Sequence, residues 1–343
     1  MPAEGNPVSP VTETAAPFVV DSAQVSAVQA EALLSGAVVA EGAVQLADVA
    51  GTGAVACIQG LVTADLEGPG EGAYVYGATL TPKGMILCDV WAARSGTTVT
   101  VSYPTHGRAP LFEIFQKQLP PRLARVTDRA GARAVLRLAG PASVGVAESA
   151  GLVVPAPGRA GRSAFRPSDC VVGRPATELP FALELHVAPE DIGAVQAALV
   201  AAGAVTASAA ALELARILAG WPRLGAEIDD KTLPQEVRFD EIGGVSYTKG
   251  CYTGQETVAR LHFRGHTNRG LVGLAWQDAP DLQQGAVRQG ERAVGRVTSV
   301  AWCAAIEQYV GLALVRRDVD RAQPVRAGEA PARIVDLPFK LTA

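Results

Sequence analysis

The order of predicted secondary structure constrains the fold of this chain most strongly. Strand patterns followed by helix patterns occur twice before residue 245, and only short strands separated by turn signals follow residue 269. This order predicts two related α+β units and then a small β-barrel. We therefore expect an α+β fold with units at 17–125 and 126–245, and a thiol-motif segment with the barrel at 246–343.

Local patterns predict the elements of these units. Helical spacing of apolar residues, with Asp21 or Ser22 as the first cap, predicts helices at 21–34, 54–66 (breaking at Gly60), 109–119, 189–203 and 209–220. Alternation of apolar and polar residues predicts strands at 43–51, 73–80, 85–93, 97–104, 132–140, 181–187, 270–276, 290–302, 309–315 and 331–339. Residues 151–179 are rich in proline, glycine, serine and arginine, and are predicted to form a loop.

The size and charge of the chain exclude several classes of protein. Its composition, with 48% hydrophobic and 19% charged residues in 343, is that of a globular protein of two or three domains. The net charge of −4 gives no overall basic field, so we expect no direct binding of nucleic acid. No apolar run reaches the roughly 18 residues that span a bilayer, and the start lacks the features of a secretory signal. We expect a cytoplasmic bacterial protein, without a membrane role, in which residues 1–16 form a disordered leader.

The cysteines do not form a recognisable framework. There are five, an odd number, and no two have C-x-x-C spacing. This argues against a disulfide scaffold and against a self-contained zinc or iron–sulfur site. We therefore expect no stably bound metal in the isolated chain.

One cysteine, Cys251, lies in the unusual stretch YTKGCYTGQETVAR, residues 247–260. Lys249 and the arginines that follow favour the thiolate form, and Gly250 and Gly254 let the backbone approach another surface closely. A thiolate in this setting can be a soft metal ligand or a redox-active group. The alternative is a small buried residue, which we favour for the other four cysteines. The rest of this candidate motif comprises Tyr252, Gln255, Glu256 and Arg260.

A basic strip follows the thiol motif. Basic and apolar residues alternate over residues 258–270, and this pattern is typical of a strand with two different faces. The strip is either a solvated edge of a sheet or a surface that attracts carboxylates, from a folate tail or an acidic partner. Its members are His262, Arg264, His266 and Arg269.

Several motifs together resemble one known family. The run R-I-x-A-G-x-P-x-x-G-x-E, then P-Q-E, K-G-C-Y-x-G-Q-E-x-V-A-R and GHTNRGL, resembles the folate-binding family related to the glycine-cleavage T protein. The cysteine string is similar to the YgfZ branch and to related mitochondrial iron–sulfur assembly factors. The segments CIQGLVTADL (57–66) and GERAVGRVTS (290–299) resemble two further elements of the family. The resemblance implies two ferredoxin-like folate-binding units that form a T-protein-like body, followed by a small barrel.

The resemblance also implies which residues bind folate. YGATLTPKGMILCDVW, residues 76–91, is similar to a strand pair of the T protein that carries its catalytic aspartate. Asp89 matches the second aspartate of that pair and Cys88 replaces the first, so either position can correspond to the catalytic one. Tyr76, Asp89, Glu184 and Arg216 are the folate contacts that the resemblance implies. Leu218 replaces an acidic residue of the T proteins, and this departure argues against aminomethyl transfer.

Three functions are compatible with these features. The first is a tetrahydrofolate-binding accessory protein for iron–sulfur cluster assembly or repair, which supports iron–sulfur enzymes and iron–sulfur-dependent tRNA modification. Cys251 is then the working thiol and could share a cluster with a carrier protein of the A-type or similar. The second is a folate-dependent aminomethyltransferase or demethylase, and the third is a scaffold without ligand. We favour the first function, with tetrahydrofolate or a one-carbon derivative as ligand, in a monomer that need not be an enzyme.

Overall fold

The computed structural model describes residues 16–165, 168–281 and 285–340. The predicted leader, residues 1–16, lies outside the described residues except for its last residue. The helices are α1 Ala27–Ser35, α2 Ala54–Leu61, α3 Arg108–Gln118, α4 Ser143–Ser149, α5 Ile192–Ala201, α6 Ala209–Ala219 and α7 Gln255–Arg264. The first ten strands are β1 Phe18–Val19, β2 Val38–Glu41, β3 Val44–Ala50, β4 Tyr74–Leu80, β5 Ile86–Ser95, β6 Thr98–Pro104, β7 Arg125–Asp128, β8 Ala134–Ala139, β9 Arg159–Phe165 and β10 Ser168–Arg174. The others are β11 Leu183–Val187, β12 Val205–Thr206, β13 Arg269–Trp276, β14 Ala286–Gln289, β15 Arg292–Cys303, β16 Gln308–Arg316, β17 Val325–Ala327 and β18 Ala330–Val335.

Two sheets form the body of the protein. One has five strands in the order β4-β5-β6-β3-β7, and the other has six in the order β12-β2-β8-β11-β10-β9. Each sheet has its own apolar core with helices against it, as the predicted pair of α+β units requires. Strand β2 belongs to the second sheet although it precedes β3 in the chain. A strand from the first predicted unit, 17–125, therefore lies in the sheet of the second, 126–245. The domain boundaries stay a prediction.

The C-terminal strands close into a barrel. Its six strands run in the order β15-β14-β17-β18-β13-β16, and β16 pairs back with β15. Closure removes the free sheet edges, and the interior is filled by apolar side chains including Trp276 and Val297. Strand β1 adds to the outside through a parallel pairing with β15. The predicted α+β class with a C-terminal barrel is confirmed.

Helix ends follow local capping chemistry. Ser26 and Gln29 form a reciprocal capping box at the start of α1, so this helix begins later than the predicted residue 21. Asp21 caps only a short 3-10 turn before it. Helix α6 ends at Gly220, whose φ of +65° is a left-handed conformation that favours glycine. The chain turns there toward the irregular segment that carries the family motifs.

Two secondary-structure predictions are wrong. The predicted loop at 151–179 contains strands β9 and β10, which pair in register as a hairpin despite their glycine and arginine content. The predicted strand at 258–270 is helix α7 over residues 255–264, and Gly254 starts it with a φ of +82°. The alternation of basic and apolar residues there is short, and it also fits a helix in which Val258 is buried and its neighbours on other faces are exposed.

No helix within the described part of the chain is long and apolar enough to cross a membrane.

Candidate functional site

A cavity of about 510 Å³ lies where β5, β6, α6 and the segment around β1 meet. Trp91 and Trp221 stack in its wall with ring centroids 5.7 Å apart, and Phe181 packs 5.1 Å from Trp91. These rings belong to elements that are far apart in the chain, and they provide large flat apolar surfaces. Such a cavity suits a planar aromatic ligand whose polar edge meets a few placed polar groups.

Asp89 is the most distinctive of those polar groups. The hydroxyl of Tyr76 donates to its Oδ2 at 3.1 Å, whereas Oδ1 is buried without a hydrogen-bond partner. The side chain lines the cavity and its carboxyl group is largely buried, and this burial raises its pKa from 3.8 to about 6. A buried acceptor without a partner is rare, and Oδ1 is closed off from the cavity, so the carboxyl group would have to rotate for this oxygen to accept from a ligand N–H group.

The structure distinguishes Asp89 from Cys88. Adjacent residues of a strand point to opposite faces of the sheet, and Asp89 lines the cavity whereas Cys88 is buried in the core of the first unit. Burial, followed by the charge of Asp89, raises the pKa of the Cys88 thiol well above its ordinary value. Leu218 packs in a hydrophobic core and does not line the cavity.

Glu184 lies outside the cavity and binds Arg137, which lines it. It is fully buried and does not line the cavity, and its two oxygens accept hydrogen bonds from Arg137, His186 and Ser102. Burial alone would raise the pKa of Glu184, but the charge of Arg137 and the hydrogen bond with His186 lower it to about 2. Arg137 does line the cavity, and its guanidinium lies 4.2 Å from the ring centre of Phe181.

Arg216 lines the cavity and joins the body to the barrel. Its Nη1 donates to Glu227 at 3.0 Å, and its Nη2 donates to Ser299 of β15 at 2.8 Å. The Ser299 hydroxyl donates in turn to Glu227, and Nε of Arg216 binds Glu213. Most N–H donors of Arg216 are therefore used within the protein, and they link the body to the barrel.

The thiol loop is fastened to the first unit by Lys249. Its ammonium group is almost buried and donates to three backbone carbonyls, those of Gln59, Val62 and Ala64. Burial lowers the pKa of Lys249 to about 8. The structure thus brings together two motifs that are nearly 200 residues apart in the sequence. The ammonium contacts carbonyl groups, so its effect on the thiolate stays a prediction.

Cys251 lies at the exposed side of this loop. All five cysteines are in the described part of the chain, and Cys251 is the exposed one, whereas Cys57 is half-buried and the others are buried. Tyr252 is buried beneath the loop, and the N–H of Thr253 donates to the carbonyl of Gly60. A side chain at Gly254 would approach the carbonyl oxygen of Thr81 to 2.6 Å, so this position requires glycine.

The other motif residues occupy helix α7. Gln255 and Glu256 form its first turn, and Arg260 is exposed near its middle. Within the described residues no cluster of three or more histidine, cysteine or acidic side chains is arranged to hold a metal ion. Gly250 has open space around it, so a larger side chain would fit at this position.

The predicted basic strip is divided between two elements. His262 and Arg264 lie in the last turn of α7, His266 follows it, and Arg269 starts β13. Nδ1 of His262 lies 3.2 Å from Asp240, and Arg269 makes a bidentate ion pair with Glu236. The strip is therefore not one edge strand.

Sequence reasoning missed several cavity residues. Arg137, His106, Trp91 and Trp221 line the cavity, and none was predicted. A charged residue in the apolar strand AVLRLA was a usable signal for Arg137, because an arginine at such a position needs a buried partner. The others carry no local signal, since long-range packing alone brings them together.

Comparisons with known proteins agree with this arrangement. The family model for the GCVT N-terminal domain matches residues 27–156, and that for the glycine cleavage T-protein C-terminal barrel domain matches residues 269–340. These two matches span more than half of the chain in the expected order. The chain belongs to the YgfZ-type family related to the glycine-cleavage T protein.

Curated bacterial relatives of the YgfZ type are similar over part of their length. The tRNA-modifying protein YgfZ of Vibrio atlanticus is 33% identical over 135 residues, which are 36% of this chain and 42% of that protein. The protein of the same name from Photobacterium profundum is 33% identical over 137 residues, 38% of this chain and 41% of the relative. The matches thus span about two fifths of these relatives.

A solved structure shows the same fold. The glycine cleavage system aminomethyltransferase T from Bartonella henselae is similar with a TM-score of 0.72 and 21% identity, covering 90% of this chain and 88% of that one. At this identity the likeness establishes the T-protein fold of this YgfZ-type chain and not its activity.

Proposed function

We propose that this YgfZ-type protein binds tetrahydrofolate, or a one-carbon derivative of it, and supports the assembly or repair of iron–sulfur clusters through Cys251. The observation that carries the proposal is the exposure of Cys251 on a loop that Lys249 fixes to the first unit. Buried cysteines in the same chain are inert small residues, whereas an exposed thiol on a fixed loop can meet a partner protein. A cluster would be cargo that Cys251 shares with a carrier.

The cavity supports the folate part of the proposal. Asp89 lines the cavity with a carboxyl group of the kind that accepts from the N–H edge of a pterin, and Trp91 and Trp221 provide flat walls. Arg137 provides a fixed positive charge in the same cavity, held by Glu184 from behind. Bound folate would supply one-carbon chemistry, and these residues would orient it and exclude water.

The names of the bacterial relatives support a downstream effect on tRNA. These relatives are named tRNA-modifying proteins, and the family resemblance implies an effect on iron–sulfur-dependent tRNA modification. A protein that maintains iron–sulfur enzymes would affect tRNA without turning over a substrate itself. The cytoplasm is the proposed location and a monomer the proposed state.

A rescue experiment tests the proposal. A bacterial host that lacks its own homologue is supplied with wild-type protein, Cys251→Ala or Cys57→Ala at equal abundance, and the activity of a [4Fe–4S] dehydratase is measured. We expect restoration by wild type and by Cys57→Ala, and failure of Cys251→Ala. Equal rescue by Cys251→Ala would overturn the role of the thiol.

A second function, folate-dependent aminomethyl transfer or demethylation, is favoured by one observation. Asp89 faces the cavity and has a pKa of about 6, which suits proton transfer near neutral pH. Incubation of the purified protein with tetrahydrofolate and a panel of methylated amines tests it. If the wild type consumes an amine and Asp89→Asn does not, the transfer function is established. If the wild type consumes none of the amines, this function is excluded for the panel.

A further inference from the structure

An open basic groove runs between the end of helix α7 and the barrel. It consists of two adjoining concavities of about 410 and 350 Å³, which share His266, Thr267, Arg316 and Arg317. The GHTNRG motif forms one wall and the end of β16 with the residues after it forms the other. The folate cavity and Cys251 are not part of this groove, and the proposed function leaves it without a role.

The walls of the groove are positively charged although the chain as a whole carries a net charge of −4. They contain four arginines and two histidines against two aspartates. Asp318 is bound by Arg292 and Arg316, and Asp240 is bound by Tyr247 and His262. Arg316 and Arg269 are thus paired with Asp318 and Glu236, and the positive charge that faces the groove comes from Arg317 and from the excess of Arg292 and Arg316 over Asp318.

Arg317 is the arginine most available to a ligand. Its backbone N–H donates to the carbonyl of Asn268, which fixes the chain, and its guanidinium makes no ion pair within the described ranges. Arg321 lies on the same wall and is 4.0 Å from Asp336. Guanidinium groups offer two parallel donors, and this geometry matches the oxygens of a phosphate.

An exposed aromatic ring stands beside the groove. Phe263 is 67% exposed, and its ring meets that of His262 edge-on with centroids 4.8 Å apart. His262 stacks in turn on Tyr247 at 3.7 Å, so the ring of Phe263 is supported from below. Exposed aromatic rings next to arginines bind unpaired bases by stacking, while the arginines bind the phosphates.

We propose that this basic groove binds a single-stranded loop of an RNA, with phosphates at Arg317 and Arg321 and a base on Phe263. The hydroxyl of Thr267 and the amide of Asn268 supply further donors of the kind that contact phosphate and ribose. The negative overall charge predicted no binding of nucleic acid, and Arg317 and Arg321 are about 50 residues from the predicted basic strip in the sequence. An acidic protein would use the charge but would have no need of the exposed ring.

Fluorescence anisotropy with a labelled RNA stem–loop tests the proposal. We expect the wild-type protein to bind with an affinity that falls with salt, by a slope of about −0.7 for each phosphate contacted. Arg317→Glu should weaken binding about tenfold, and Arg122→Glu, an exposed arginine of the first unit, should change it less than about twofold. Phe263→Ala should weaken binding of the stem–loop about fivefold without affecting a fully paired duplex.

Control measurements separate loss of RNA binding from misfolding and from the proposed thiol function. All variants are checked for an unchanged melting temperature, and Cys251→Ala should bind RNA as the wild type does, which separates this site from the proposed thiol function. Absence of salt-dependent binding, or equal effects of Arg317→Glu and Arg122→Glu, would overturn the RNA site. Displacement of the RNA by a polyaspartate peptide at lower concentrations than unlabelled RNA would also overturn it, in favour of an acidic partner.

Discussion

The ammonium nitrogen of Lys249 lies 2.8 Å from the carbonyl oxygen of Val62, and this contact fixes the cysteine loop to the helix α2 region. Two further carbonyls, those of Gln59 and Ala64, accept from the same group. Lys249 of the K-G-C-Y string therefore has a structural role in addition to any effect on the thiol. The position of Cys251 depends on it.

Replacement of Lys249 by methionine keeps most of the length of the side chain and removes the three N–H donors. We expect the free energy of unfolding to fall by about 2–3 kcal/mol, because partly buried carbonyls lose their partner. Urea denaturation measures this. Lys117→Met is the control, since Lys117 is exposed in a surface pair with Glu113 and should cost less than about 0.5 kcal/mol. Equal costs for the two variants would contradict the docking role.

Asp89 makes stability depend on pH. Its pKa is raised from 3.8 in the unfolded reference to about 6, so the folded state binds the proton more tightly. The resulting stabilisation is complete below pH 4 and is lost as the pH rises through 6. Relative to Asp89→Asn, the wild type should lose on the order of 1–3 kcal/mol between pH 4 and 7, the range allowing for water in the cavity. Urea denaturation of both proteins across this range measures the difference, and parallel curves would contradict the raised pKa.

The cavity tryptophans should report folate binding. Trp91 and Trp221 line the cavity, whereas Trp302 lies in the barrel against Tyr309. Tetrahydrofolate should therefore quench the fluorescence of wild type and Trp302→Phe in a saturable way, and should have little effect in the Trp91→Phe, Trp221→Phe double variant. Isothermal titration of the double variant checks that folate still binds. Quenching that depends on Trp302 would place the ligand elsewhere.

Arg216 should matter more for stability than for the ligand. Replacement by methionine leaves the fully buried Glu227 without its arginine, and loss of one partner of a buried pair costs about 3–5 kcal/mol. Arg108→Met is the control, because its pair with Asp128 is largely exposed and should contribute less than about 1 kcal/mol. Thermal denaturation measures both. A small effect at Arg216 would mean that the network does not hold barrel and body together.

The sequence predicted the fold class well because long periodic segments decide it. The pairs β4–β5 and β13–β16 lie where alternation predicted strands, and α6 ends at Gly220 as its pattern indicated. Helix α7 was missed because its pattern is only ten residues long and fits two periodicities. Short segments are decided by what they pack against, which sequence spacing does not show.

The candidate site was only partly predictable for a related reason. Cys251 and Asp89 belong to motifs with recognisable local strings, and Cys251 lies at the surface whereas Asp89 lines the cavity. Glu184 was also in a recognised strand, yet its oxygens are used by Arg137 and His186. The partner of a buried charge depends on long-range packing, so the sequence identified the carboxylate but not its role.

The most direct test of the account is the content of iron–sulfur-dependent methylthio-modified nucleosides in tRNA. Bulk tRNA is digested and analysed by mass spectrometry from a homologue-deficient host carrying wild type, Cys251→Ala or Cys57→Ala at equal abundance. We expect the normal content of these nucleosides with wild type and Cys57→Ala, and the content of the deficient host with Cys251→Ala. Full content with Cys251→Ala would contradict this expectation.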